Sequence, residues 1–521
     1  MRHLLAGMIL SSFLSGPVWA QSVVHFTIDA RKDVKPISRL IYGVNLPIDA
    51  AWANATFVRF GGNRTTAYNW ITNASNAGAD YQFQNDPFFP GRTPGAPIAA
   101  LLKNAYAHNA AALITVPING YVSADEKTDG DVRKSGPNYL QTRFHREAPA
   151  KGAPFTLTPD PNAPVVYQDE FVNWVRTNYP YGQTDPDRPI FFELDNEPDI
   201  WLATHAEVHP AKTTYAEMVQ KTIAYATAIK NVEPKALIFA PVNYGWNGYV
   251  SLQDAPDANS RDFQVFYLQQ LARAGAAAGK RLLDVLDVHY YPEATGGGVR
   301  VTTEKSNPDI VAARLQSPRS LWDPAYIETS WLTKKWPKPL NAIPTLQMKI
   351  AENYPGTKLS ISEYNYGGGG DISGGIAEAD VLGIYGRGGV YSANEWPGAS
   401  IEPYTSGGFE MYRNFDGKNG SFGDTSISAA TDDVPDTSVY ASLDSSDPNR
   451  MVIVAINKTD HPIRANLQLN NGKPFAIGNV YQLTRSSPRP VHAGQISLKD
   501  PTNFGYTMPA YSVSTIVLVA P

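Results

Sequence analysis

Cysteine is missing altogether from the 521 residues, which excludes a disulfide framework, a thiolate nucleophile and a Cys-ligated zinc centre. Charge is sparse as well: Asp, Glu, Lys and Arg make up 18%, against roughly a quarter in an average soluble protein. With 44 basic and 49 acidic residues the net charge is −5. That leaves no basic surface to neutralise a phosphate backbone, and nucleic acid is not expected as a partner. Long apolar runs are lacking too. Residues 4–14 form one behind Arg2 and His3, but it is too short to span a bilayer. It leads to Val18-Trp19-Ala20, a small-residue cleavage site before Gln21. This is the pattern of a signal peptide over 1–20. The expectation is a secreted chain, extracellular or periplasmic, with no membrane association.

Aromatic rings are plentiful, with 28 Tyr, 20 Phe and 10 Trp. Short apolar runs recur with helix-compatible stretches between them, the signature of parallel strands joined by crossovers. Strands are expected at 40–44, 56–60, 111–116, 190–194, 237–240, 285–289, 358–362 and 389–394. The clearest helices are at 215–231, 262–278 and 375–385. This alternation predicts an α/β fold, a (β/α)8 TIM barrel over 39–398. Beyond Trp396 no long helical period is visible. Strand-like segments at 439–443, 450–457, 465–469, 479–483 and 512–519 predict a second, smaller all-β sandwich over 399–521. Segment 21–38 is expected to add an N-terminal strand to it.

In such a barrel the reactive groups sit where strands run into loops at the carboxyl-terminal face. The strand ends carry Arg59 to Asn63, Asp195-Asn196-Glu197-Pro198, Asn243-Tyr244-Gly245-Trp246, His289-Tyr290-Tyr291, Glu363-Tyr364 and Asn394-Glu395-Trp396. Glu197 and Glu363 end strands four and seven, so they would face each other across the mouth. Glycosidic cleavage requires such a pair: one carboxyl protonates the departing oxygen, the other attacks the anomeric carbon or activates water. A gap of about 5 Å means a covalent intermediate and retained stereochemistry, a wider one inversion.

Other signals have plainer readings. Glu395 is a competing acid, read as a subsite or structural residue. Glu193 and Asp195 are read as hydrogen-bonded support, and Asp199 as part of a solvated loop. Trp52, Trp70, Trp201, Trp246, Trp331 and Trp396 are candidate sugar platforms, each equally well a core residue. His205 and His209 flank Glu207, but the order is not that of a zincin and Pro210 follows, so they are read as exposed loop histidines. The acidic run 125–131 is calcium-loop-like, yet it departs at Lys127 and Gly136.

Leu194-Asp195-Asn196-Glu197-Pro198, followed by Trp201, resembles the acid/base motif of glycoside hydrolase family 44, one of the clan A barrels. Ile361-Ser362-Glu363-Tyr364-Asn365-Tyr366-Gly367-Gly368, continuing through Ile372 to Ala377, resembles that family's nucleophile motif. Ser320 to Pro324 and Asp287 to Glu293 fit the same family. The resemblance implies a retaining endo-β-1,4-glucanase or xyloglucanase acting on β-glucan, with Glu197 as general acid/base and Glu363 as nucleophile. It further implies that Asn196 meets the sugar 2-hydroxyl, Arg59 keeps Glu363 ionised and Tyr291 orients it. Tyr244 and His289 join the supporting set. No cofactor is required for catalysis; the resemblance leaves room for a structural calcium without assigning its ligands. A monomer is expected. The alternatives are a clan A β-mannanase or xylanase on the same two glutamates and a non-catalytic polysaccharide-binding protein. A metallohydrolase built on His205 and His209 stands furthest off. Preference among cellulose, xyloglucan and glucomannan is not written in these motifs.

Overall fold

The eight barrel strands are Gly43–Asn45, Phe57–Phe60, Ala111–Val116, Ile190–Leu194, Ile238–Asn243, Val285–Tyr290, Lys358–Tyr364 and Ser392–Glu395. All pair in parallel and the eighth closes on the first. The computed structural model describes residues 22–398, 402–470 and 474–520; the expected signal peptide lies outside them. Among the described residues no helix is long and apolar enough to cross a membrane.

Successive side chains on a strand point to opposite faces, and here one face fills the barrel. Phe57, Leu113, Phe191, Phe239 and Val285 form an apolar plug at its base. Two residues further along the same strands the inward positions are Arg59, Thr115, Glu193 and Asp287, all buried. The interior therefore changes from apolar to charged below the mouth. Buried charge is stable only when paired and hydrogen-bonded, so this tier is a network.

Two of the three expected helices run longer than expected, as Tyr215–Val232 and Ile372–Gly388, while Phe263–Ala278 begins one residue later, with Asp262 as its N-cap. A further helix was not visible in the sequence. Pro403–Arg413 is an α-helix, lying in the region that the absence of a helical period had assigned to strands alone. Its Gly407, Gly408, Thr405 and Ser406 are poor helix formers, so packing supplies its stability. Gly408 and Gly375 let it approach helix Ile372–Gly388 closely: a Cβ on Gly408 would stand 2.3 Å from the Gly375 carbonyl oxygen.

Strand Ser22–Asp29 belongs to the second layer. It pairs antiparallel with Thr425–Thr431 and parallel with Ile463–Asn470. The ten-stranded arrangement also contains Ser487–Ser497 and Asn503–Met508, which the sequence pattern did not single out. Helix Ile372–Gly388 is buried on every side through Gly386, because it lies between barrel and sandwich. Asp380 on it meets Lys458 Nζ at 2.7 Å and the Tyr440 hydroxyl at 2.5 Å, both from the sandwich.

Candidate active site

Strand four ends abruptly at Leu194. Asp195 and Glu197 then adopt φ of 65° and 44°, a left-handed backbone that costs a non-glycine residue energy and persists only where surroundings enforce it. Asp195 supplies that enforcement. Its carboxylate accepts from the Thr66 hydroxyl at 2.7 Å and from the Ile118 and Asn196 N–H groups at 2.6 and 2.9 Å. The Glu197 N–H donates to the Val242 carbonyl at 3.1 Å. The turn is thereby fixed and carries the Glu197 carboxyl into the mouth.

One carboxylate oxygen of Glu197, one of Glu363 and a ring nitrogen of His289 lie within 4.8 Å of one another. Arg59 organises the floor. Its Nε meets both Glu193 oxygens at 2.8 and 2.9 Å, Nη1 meets Glu363 Oε1 at 2.6 Å, and Nη2 meets Asn196 Oδ1 at 2.9 Å. Tyr291 donates its hydroxyl to Glu363 Oε2 at 2.9 Å. His289 Nδ1 lies 2.8 Å from Glu197 Oε1. Arg59, Asn196, His289, Tyr291, Glu197 and Glu363 thus share one cluster.

Burial, reinforced by the negative charge of Glu363, pushes the Glu197 carboxyl well above the usual range. Burial also raises Glu363, but Arg59 and the Tyr291 hydrogen bond oppose it. The two carboxyls are therefore split, with the proton on Glu197 and the charge on Glu363. Burial, with Arg59 nearby, drives His289 well below its ordinary value and keeps it neutral. Among the described residues Glu197, His289 and Glu363 are the one group close enough to share a metal ion. A divalent cation there would face the Arg59 guanidinium, and both Glu363 oxygens, Glu197 Oε1 and His289 Nδ1 already have hydrogen-bond partners. The geometry fits an acid–nucleophile pair better than a metal site.

Beside the pair opens a cleft lined by Tyr244, Trp246, His289, Tyr291, Arg300 and Trp331, among others. Trp331 is 48% exposed and its indole donates to Glu293 Oε2 at 2.9 Å. Glu293 also holds Arg300 at 2.8 Å. Arg300 was missed in the sequence, where nothing marks it; the hairpin Thr295–Gly296 and Val299–Arg300 brings it here. Trp396 is half-buried, at the end of strand eight against Gly62, whose φ is +94° and where a Cβ would stand 2.6 Å from the ring. On the strand-two side Phe88 is 64% exposed under the Arg64 guanidinium, a further ring that the sequence did not single out.

Several expectations are corrected and some open readings are decided. Trp201 is not a platform: it is fully buried, donates its indole N–H to the Asn196 carbonyl at 3.0 Å and packs on His209. It braces the acid-bearing turn. Trp52 and Trp70 are core. Asp199 is buried and accepts the Tyr244 N–H at 3.0 Å, because its loop folds back under strand five. His205 is not exposed but fully buried between Glu207 and the Asn63 carbonyl, each at 2.8 Å; His209 is partly buried against Glu217. The two histidines face different partners. In the calcium-like run Arg143 pairs with Asp125 and Asp129, and Arg133 with Asp131, so guanidinium groups already neutralise these carboxylates. Glu395 is fully buried and accepts from Asn365 at 2.9 Å.

Residues 74–294 match the family model of glycoside hydrolase family 44. The chain is 41% identical to endoglucanase A of Paenibacillus lautus over 517 residues, covering 96% of this chain and 73% of that one. The xyloglucanase of Paenibacillus polymyxa, solved with xyloglucan, superposes with a TM-score of 0.92 at 38% identity, over 96% of this chain and 100% of that one. A family 44 endoglucanase of Clostridium thermocellum does so at 0.90 and 42% identity, with coverage of 96% and 100%.

Proposed function

The chain belongs to glycoside hydrolase family 44, and from that premise we propose that it hydrolyses internal bonds of β-1,4-glucans by double displacement, with Glu363 as nucleophile and Glu197 as general acid and then base. The enzyme class is endo-β-1,4-glucanase/xyloglucanase. The single observation that carries the residue roles is the approach of the two carboxylates within 4.8 Å, the spacing of a direct attack rather than of an interposed water.

In the first half-reaction Glu363 attacks the anomeric carbon while Glu197 transfers its proton to the leaving 4-oxygen of the departing chain. Arg59 and Tyr291 hold the nucleophile by one oxygen each, which restricts its rotation without blocking attack. Once the ester forms, Glu363 loses its charge, the repulsion that kept Glu197 protonated falls, and Glu197 takes a proton from the incoming water. Asn196 gives its Oδ1 to Arg59, leaving its amide nitrogen for the 2-hydroxyl. The rings of Tyr244, Trp246 and Trp331 offer apolar faces to the sugar beyond the scissile bond. No step calls for a metal. Export from the cell is part of this proposal, in keeping with the apolar N-terminal segment.

Glu363→Gly assayed beside wild type on carboxymethylcellulose, xyloglucan, xylan and mannan tests the reading. Wild type is expected to release sugar from at least one of the two glucans. The variant is expected to be inactive until azide is added, and then to form an α-glycosyl azide. A folded variant with full activity would move the nucleophile elsewhere, with Glu395 next to examine. Release from mannan or xylan alone would overturn the glucan assignment.

A further inference from the structure

Beneath the catalytic pair one cation serves more carboxyl groups than it can neutralise. Arg59 binds Glu193 with Nε and Glu363 with Nη1. A third acid, Asp287 on strand six, is fully buried within hydrogen-bonding reach of the Glu193 carboxyl. Its Oδ1 accepts the Ser362 N–H at 3.2 Å; its Oδ2 makes no hydrogen bond of good geometry among the described residues, and the Ser360 hydroxyl beside it is a weak competing donor. Two carboxylates in contact in a dry interior cannot both be charged. An acid facing a carboxylate resolves the conflict by becoming the donor.

We propose that Asp287 is a permanently protonated positioning residue whose hydroxyl donates to Glu193 and thereby leaves the Arg59 charge available to the Glu363 nucleophile. Burial and the Glu193 charge hold the Asp287 carboxyl well above its usual range, in keeping with that state. The groups around it are Arg59 from strand two, Glu193 from strand four, the Ser360 hydroxyl from strand seven and Tyr249 from the helix after strand five, with Glu363 on the far side of Arg59 and His289 two residues along its own strand. His289 is neutral and the burial-raised Tyr249 phenol keeps its proton, so Arg59 is the positive charge in the set. Every share of it drawn by an undamped Glu193 is lost to Glu363.

The inference rests on Glu363 being the nucleophile, and the experiment separates the two. Asp287→Asn keeps a neutral donor toward Glu193; Asp287→Leu keeps the volume and removes the donor. With Asp287→Leu the acid limb of the kcat/KM profile, which reports Glu363 losing its proton, is expected to rise by about one pH unit. Asp287→Asn is expected to leave the limb in place. An equal shift in both folded variants, or none in either, overturns the proposal. Infrared difference spectra of wild type minus Asp287→Asn at neutral pH read the proton directly and need neither the leucine variant nor any role for Glu363. A carboxylic-acid carbonyl band unique to wild type is expected; only a carboxylate band there would overturn the proposal.

Discussion

An ordinary glutamate in water is ionised at neutral pH and cannot be an acid catalyst. Glu197 departs from that because it is removed from water beside a second carboxylate, and the same environment leaves Glu363 the easier of the two to ionise because Arg59 touches it. The rate should therefore fall below the Glu363 transition, where the nucleophile gains a proton, and again above the Glu197 transition, where the acid loses one. Glu197→Gln tests the assignment. On polymeric glucan its kcat should drop about 10²- to 10⁴-fold, and the alkaline limb should vanish because glutamine does not titrate. On a dinitrophenyl cellobioside, whose leaving group departs without a proton, the first equivalent of phenolate should still be released fast. Loss of that burst would mean Glu197 does something other than donate a proton. That the two glutamates would meet at the mouth was legible, because both stand at the ends of barrel strands. The burial of Asp199, His205 and Trp201 was not, since polar residues in a loop usually face water and a tryptophan near an acid gives no hint of which way its ring turns. For Asp199 and His205 the deciding fact is a backbone group from a distant loop, the Tyr244 N–H and the Asn63 carbonyl; for Trp201 it is the Asn196 carbonyl five residues back in the same turn.

Elements with their own periodicity or β-branched runs could be read locally, which is why the barrel strands emerged from short apolar segments. Helix Pro403–Arg413 could not, because its sequence lacks the propensity to be a helix and acquires the form from its neighbour. Gly408 and Gly375 make that contact backbone to backbone, where no flexible side chain can yield. Gly408→Ala would be favourable in an isolated helix. Here the added methyl meets the Gly375 carbonyl, and overpacking of this kind costs about 1–3 kcal/mol. Urea unfolding should show the midpoint lowered; a raised midpoint would mean that the helices separate more readily than their packing indicates. Strands Ser487–Ser497 and Asn503–Met508 escaped for a different reason. Both lie at the ends of the sheet order, Ser487–Ser497 largely exposed and Asn503–Met508 mostly half-buried, so burial leaves little apolar pattern on them.

At the scale of the whole molecule the catalytic barrel and the sandwich are joined through helix Ile372–Gly388, with helix Pro403–Arg413 beside it against the same strands, and the join carries charge. Asp380 and Lys458 are each 2% exposed and 2.7 Å apart, with the Tyr440 hydroxyl on the second Asp380 oxygen. Removing two charges from water is costly, and their attraction returns that cost only while both are present. Breaking the pair should therefore hurt more than abolishing it. Asp380→Asn leaves Lys458 without its counter-charge and should lower unfolding stability by roughly 3–5 kcal/mol. Asp380→Leu combined with Lys458→Met, which places apolar groups at both positions, should recover most of that loss. The effect should register equally in tryptophan fluorescence, which reports mainly the barrel, and in hydrogen exchange of strand Arg450–Asn457 in the sandwich. Helix Ile372–Gly388 is buried by both layers, so neither can open without exposing it. A single variant that costs under 1 kcal/mol, or one that unfolds the sandwich while the barrel signal holds, would show that the layers merely touch. The expected result makes the sandwich a structural wall of the same helix that follows strand seven, binding barrel and sandwich into one folding unit.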